Sequence, residues 1–150
     1  MAVLISNRQK RKRILLKEIR HKAQIILNAL GYPEHELSIL IVDDKEMAQL
    51  NAQYLHREGP TNVIAFPMQE GDFADVNPLL LGDVVLSVDT AQAEARAAGI
   101  PFAARFTQLL VHGILHLVGY DHEGDEEEAR RMEAKSDELI SLLAKAEPPA

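Results

Sequence analysis

No cysteine occurs anywhere in this chain of 150 residues. That excludes disulfides and any thiolate metal site, so a bound metal would have to be held by nitrogen and oxygen donors. It also accords with a reducing compartment, and the expected location is the cytoplasm. Long apolar runs are missing too. No stretch approaches the roughly 18 residues that a membrane span needs. The opening Met-Ala-Val-Leu-Ile-Ser is too short for a signal peptide, with its charges after it rather than before. Neither a membrane role nor secretion is expected.

Positive charge is in short supply. Sixteen Lys and Arg stand against 23 Asp and Glu, a formal net charge of −7, which argues against a broad nucleic-acid-binding surface. A local positive path is still available. Half of the sixteen cationic residues lie between Arg8 and Lys22, while acidic residues crowd the C-terminal third at Glu123 and from Asp125 to Glu128. The basic run reads either as a stripe for a phosphate backbone or as the solvated face of an amphipathic helix. There is no internal repeat and no interdomain linker. With 47% apolar residues, a single domain over 1–150 is expected.

The patterning that is present mixes strands and helices. Val3–Ser6 is a short apolar run. Arg13–Leu30 has a helical stripe of Leu15, Ile19, Ala23, Ile26 and Leu30, stopped by Gly31, Tyr32 and Pro33. Leu37–Val42 is a β-branched run of buried-strand character. Asp43-Asp44 resembles a helix N-cap before Met47, Leu50, Asn51 and Tyr54. Val63–Phe66 is a strand halted by Pro67, and Gln69–Pro78 has the composition of a mobile loop. Leu80–Val88 is a further strand. Asp89 or Thr90 would cap an Ala-rich helix ending near Gly99. Pro101 opens a long helix, and Glu126–Leu143 forms a last one with Met132, Leu139 and Leu143 inward. The closing Glu-Pro-Pro-Ala is expected to fray. Strands and helices without strict alternation predict an α+β fold with a small mixed sheet of about four strands covered by helices.

The chemistry lies in the long helix and just beyond it, where His112-Gly-Ile-Leu-His116-Leu-Val-Gly119-Tyr-Asp-His122 stands. His112 and His116 are four apart and so share one helix face. Gly119 is placed to end the helix in a left-handed conformation, which lets the chain return and bring His122 to the same point. Three imidazoles there would leave a fourth tetrahedral position for water, as in a catalytic zinc centre. The apolar residues Leu109, Leu110, Ile114, Leu117 and Val118 would fix the helix axis and so the aim of both rings. His21, His35 and His56 lie outside the cluster, and the first two suit the solvated surface.

The same His-x3-His-x2-Gly-x2-His spacing serves metzincin proteases, whose general base is a Glu directly after the first His. Here that position is Gly113, which has no proton acceptor. The spacing therefore supports metal binding but not peptide hydrolysis by that route. Three imidazoles suit one Zn²⁺ per chain, and other divalent transition metals also bind such sites.

The histidine motif, the segment Gly59-Pro-Thr-Asn-Val-Ile-Ala-Phe-Pro67 and the pair Gly82-Asp83 together resemble the YbeY family of bacterial endoribonucleases, from about Leu37 to Leu143. The resemblance implies zinc on His112, His116 and His122, and a single-stranded RNA substrate. It implies a role in 3′-end maturation of the 16S ribosomal RNA precursor and in ribosome quality control, with the small ribosomal subunit and its assembly factors as partners. One departure stands out. The family usually carries Arg directly after the aromatic residue corresponding to Tyr54, where this chain has Leu55. Arg57, two residues on, is the substitute candidate for holding phosphate, by bidentate bonding. Thr61 and Asn62 either bond a phosphate or sugar or merely form a turn. Tyr54 either stacks a base or packs in the core, its helical spacing favouring the core.

Asp83 is a candidate to orient a liganding imidazole, with a strand-end cap as the alternative. Asp121 can orient the loop to His122 or lie idle on the surface. Glu123 is a candidate base, although it fits better as part of the acidic start of the last helix. Three functions remain in play: a zinc-dependent endoribonuclease with His112, His116, His122 and Arg57 at its site, a zinc hydrolase of another substrate, and a ribosome-assembly binding factor with non-catalytic zinc.

Overall fold

The structure is a computed structural model and describes residues 3–68, 79–121 and 124–146. The segment 69–78, the pair His122 and Glu123, and the C-terminal 147–150 lie outside the described residues, together with the expectations attached to them. In chain order the elements are β1 (Val3–Asn7), α1 (Leu16–Leu30), β2 (Glu36–Val42), α2 (Asp44–Leu55), β3 (Val63–Pro67), β4 (Leu80–Ser87), α3 (Val88–Ala98), α4 (Phe102–Leu117) and α5 (Glu126–Lys145). The α+β fold and the four-stranded mixed sheet match the sequence expectation. Among the described residues, no helix is long and apolar enough to cross a membrane.

The strand order is β1-β2-β4-β3. β1, β2 and β4 run parallel, and β3 pairs antiparallel with β4. Alternation along each strand divides the apolar residues between two faces. Leu37, Ile39, Ile41, Val84 and Leu86 join α1, α4 and α5 in the main core. Val42, Ile64 and Val85 join Met47 of α2 in a smaller cluster on the other face. The mostly apolar sequence of β2, broken only by Ser38 after Leu37, thus reflects a strand with apolar cover on both sides. β3 ends the sheet, where Pro67 is tolerated because one edge of the strand needs no ladder partner.

α4 is the central helix. From Leu109 to Leu117 every residue is buried except His112 and His116. Phe106, Val111 and Leu115 are buried along with the five apolar residues singled out from the sequence, of which only Val118 is partly exposed. A helix enclosed almost all round has no amphipathic signature for the buried residues outside one stripe.

Two helix starts differ from expectation. α1 begins at Leu16 rather than Arg13, because Gln9 holds the preceding turn: its Nε2 donates to the Lys12 carbonyl and its Oε1 accepts from the Lys12 N–H, both at 2.8 Å. Three of the five basic residues ahead of α1 are tied into the fold, and Lys10 and Arg13 are exposed. Arg8 pairs with Glu46, Arg11 with Asp89, and Lys12 donates to Gln92 while lying over the Phe102 ring. The other start is that of α3, which neither Asp89 nor Thr90 caps. Asp89 instead accepts from the Asp44 N–H at the start of α2, and Thr90 and Ser87 both donate to the Asp44 carboxylate at 2.6 Å. The two helix starts thus brace each other. Asp43 does cap α2, accepting from Glu46 N–H.

The acidic run at the start of α5 has a structural use. Asp125 caps the helix by accepting from the Glu128 N–H, and Glu126 to Glu128 sit in the first turn, where negative charge is favoured. His35 departs from the solvated surface predicted for it. It is half-buried, packs edge-on to Tyr32 at 4.9 Å, and its Nδ1 is buried with no hydrogen-bond partner among the described residues.

Candidate active site

α4 and β3 form two walls of a cavity of about 660 Å³. α4 contributes His112, Gly113 and His116. The β3 strand and its approach contribute Thr61, Asn62, Val63 and Ala65, while Leu55 and Arg57 come from the end of α2. Tyr120 and Asp121 close the cavity beyond the helix end.

The two histidines converge as the i,i+4 spacing predicts. Their Nε2 atoms are 3.0 Å apart and their rings lie at 76°, centroids 4.6 Å apart. Two nitrogens bonded tetrahedrally to one zinc at about 2.0–2.1 Å would stand roughly 3.4 Å apart, so a small ring adjustment admits the ion. The donors are imidazole nitrogens held on a largely buried helix, and neutral imidazole suits a borderline-soft divalent cation. His122 lies outside the described residues, and among those described no group of three His, Cys, Asp or Glu is placed to hold a metal.

The turn that leads toward His122 forms as predicted. Gly119 has φ +101°, its N–H donates to the His116 carbonyl at 3.2 Å, and the Tyr120 N–H donates to the Leu115 carbonyl at 3.0 Å. This is the Schellman pairing, which satisfies two of the carbonyls a helix leaves open.

Arg57 reaches the same cavity despite its offset of two residues. The reason is the backbone at His56, which takes φ 55° and ψ 38° and ends α2 in the left-handed region. The chain leaves the helix there, so helical side-chain directions no longer apply to Arg57. Its N–H donates to the Asn51 carbonyl at 3.2 Å, and Asn51, itself buried, donates from Nδ2 to the Gly59 carbonyl at 2.9 Å. These bonds pin the loop between α2 and β3. No carboxylate among the described residues pairs with the Arg57 guanidinium. Leu55, at the place where the family usually has Arg, adds an apolar patch to the cavity wall.

Thr61 and Asn62 both line the cavity, but the Asn62 side chain is committed to the fold. Its Nδ2 donates to both oxygens of Glu94 at 3.1 Å, and its Oδ1 accepts from the Val63 N–H at 2.7 Å. Arg105 holds Glu94 from the other side, and a third Arg105 nitrogen donates to Gln108 Oε1 at 2.9 Å. Asn62 therefore serves as an anchor of the loop to α3 and α4. This Asn62–Glu94–Arg105–Gln108 chain escaped the sequence reading. Part of its signal was present, since Arg105, Gln108, His112 and His116 share one helical face.

Two expectations are overturned. Asp83 does not reach the histidines. It alternates with Val84 on β4, and Val84 faces α4, so Asp83 faces α2 and lines a groove with Ser38, Tyr54 and Phe66. Tyr54 is no core residue: it is 56% exposed and lies edge-on to Phe66 at 5.6 Å. The short strand β3 offers too little apolar surface on that side to cover it.

Gly113 has a reason beyond the missing base. A Cβ there would lie 2.6 Å from Val84 Cγ1 and 3.1 Å from Val63 Cγ2. The position faces the sheet at close approach, and no side chain fits there unless Val84 or α4 shifts.

Comparison with known proteins agrees with this architecture. The solution structure of TM1509 from Thermotoga maritima superposes with a TM-score of 0.68 at 24% identity, over 94% of this chain and 88% of that one. Proteins named endoribonuclease YbeY are 54% identical in Geobacter sulfurreducens over 95% of this chain and 96% of that protein, and 40% identical in Aquifex aeolicus over 91% and 89%. The family model described as endoribonuclease YbeY matches residues 4–144, a span that holds both walls of the cavity, and the chain therefore belongs to the YbeY endoribonuclease family.

Proposed function

We propose that this chain is a metal-dependent endoribonuclease that cleaves single-stranded RNA, with zinc held by His112, His116 and His122. One observation carries the reading: two imidazole nitrogens 3.0 Å apart open onto a cavity whose far wall carries Arg57. A bound zinc ion supplies Lewis acidity toward a phosphoryl oxygen or lowers the pKa of a water.

The chain's own residues supply position and charge. The buried flanks of α4 hold the two imidazoles against drift, which matters because a misplacement of about 1 Å costs a site much of its rate. Arg57 offers a fork of N–H donors matched to a phosphodiester. Thr61 adds a hydroxyl to the same wall. Leu55, Val63 and Ala65 add apolar surface to the cavity lining. The proton acceptor is not the residue after His112, since Gly113 has none.

The biological setting proposed is the one that the family resemblance implies. The proposed substrate is the 16S ribosomal RNA precursor at its 3′ end, met in the cytoplasm on the small ribosomal subunit among its assembly factors. The test pairs metal analysis of purified protein with cleavage of that precursor. His116→Ala is expected to lose both bound zinc and cleavage while keeping its circular dichroism. Full cleavage by the metal-stripped protein would overturn the reading. End-group analysis of the products decides between water and the ribose 2′-OH as nucleophile.

A further inference from the structure

A second cavity, of about 280 Å³, adjoins the first and shares His112 and Asn62 with it. It lies further toward the N-terminus of α4, between that helix and α5, and is lined by Arg105, Gln108, Ser136 and Asp137 among others. Arg105, Gln108, His112 and His116 succeed one another along one face of α4 over about 16 Å at 1.5 Å per residue, and the two cavities lie side by side along that face. The histidine pair stands toward one end of it, and His112 stands where the cavities meet.

The charges in the two parts differ. In the first cavity the Arg57 guanidinium pairs with no carboxylate among the described residues. In the second, the Arg105 guanidinium is occupied by Glu94 and Gln108. Asp137, which is exposed and makes no ion pair among the described residues, leaves that wall with a surplus negative charge. A phosphate is therefore repelled there, whereas a neutral heterocycle carrying N–H donors is not. Arg105 also fixes which end of Gln108 remains available. Since Gln108 Oε1 accepts from Arg105, its Nε2 is the end left to donate. The wall thus combines an amide donor, the Ser136 hydroxyl and a carboxylate acceptor, a set suited to the hydrogen-bonding edge of a base.

We propose that this second cavity receives the base of the nucleotide next to the scissile phosphate, with Gln108 and Asp137 bonding its edge. This deepens the endoribonuclease reading and rests on it. The subsite gives the strand a direction across His112: phosphate toward Arg57, adjoining base toward α5.

The test uses the full-length zinc-loaded protein and a set of short single-stranded oligoribonucleotides cut at one defined bond. One member of the set carries an abasic ribose on the 5′ side of that bond and another on the 3′ side. With the unsubstituted protein, one of the two abasic substrates is expected to lose roughly tenfold in kcat/KM, the scale of one or two hydrogen bonds. In Gln108→Ala and in Asp137→Ala that penalty shrinks toward onefold, because cleavage of the intact substrate falls toward that of the matching abasic one. Asp137→Asn, which keeps an acceptor oxygen, is expected to retain part of the discrimination. A merely structural change would slow intact and abasic substrates alike. Cleavage with the same penalty in every variant, or with no penalty at either side, overturns the subsite and leaves the nuclease reading intact. Absence of RNA cleavage by the unsubstituted protein overturns both.

Discussion

Gly113 lies against Val84 so closely that a Cβ at that position would stand 2.6 Å from Val84 Cγ1. The contact sets how deeply α4 seats on β4, and with it the height of His112 and His116 above the sheet. Helix and strand approach this way only where the helix presents no side chain. The residue that separates this motif from that of zinc proteases is thus fixed by packing as well as by chemistry.

Gly113→Ala should therefore run against the usual trend. In an open helix interior the change gains up to about 1 kcal/mol. Here overpacking, at about 1–3 kcal/mol, is expected to outweigh that gain and leave a net loss of up to about 2 kcal/mol, read as a lower urea midpoint at unchanged slope. Gly113→Glu should fail to fold and should show no peptidase activity. A Gly113→Ala protein as stable as the parent would mean that α4 and β4 can part without cost.

Much of this arrangement was legible in the sequence because it depends on local spacing. The four-residue step brings His112 to His116, and Gly119 stops the helix with the left-handed turn its position suggested. What escaped depends on tertiary context. Asp83 was aimed at the histidines on the strength of its place at a strand opening, but the side of the sheet it faces is set by register with β3 and β2. Arg57 reaches the cavity because the backbone at His56 leaves the helix, which no helical spacing records. Gln9 delays α1 through a side-chain bond that no periodicity records. The Glu94 anchor joins residues from three elements, and only its α4 members share a sequence pattern.

The Asn62–Glu94 contact should be measurable as a coupling. Asn62→Ala and Glu94→Ala each remove a partly exposed, charge-assisted pair of bonds at 3.1 Å. Each single change is expected to cost about 1–2 kcal/mol. The double mutant should cost less than their sum by at least about 0.5 kcal/mol. Strict additivity in urea unfolding would show that the two side chains do not support each other in solution.

Arg57→Ala should weaken RNA cleavage without touching the metal. Loss of a charged hydrogen-bond donor to phosphate corresponds to about 1.5–3 kcal/mol, a fall of roughly tenfold to a hundredfold in kcat/KM. The dependence of RNA affinity on salt should become shallower by nearly one phosphate contact, a change of about 0.7 in the log–log slope for a single strand. Zinc content should equal that of the parent. An unaltered salt slope would remove Arg57 from the phosphate path and return attention to Leu55 as an uncompensated loss.

Zinc should stabilise the fold through the histidines, because a ligand that binds only the folded state adds RT ln(1 + [L]/Kd). At a free concentration a hundred times Kd that is about 2.7 kcal/mol, or a rise of roughly 5–11 °C in Tm for a domain of this size. The parent should show this rise on titration with zinc and lose it on adding a chelator. His112→Ala should show little of it, because one of the two nitrogens that meet 3.0 Å apart is gone. His122→Ala serves as the independent arm for the third donor implied by the sequence. If it retains the full rise, His112 and His116 hold the ion without it and the three-histidine site is wrong. If all three proteins rise equally, zinc is binding elsewhere on this acidic surface, and the convergence of the two rings has no role in holding metal.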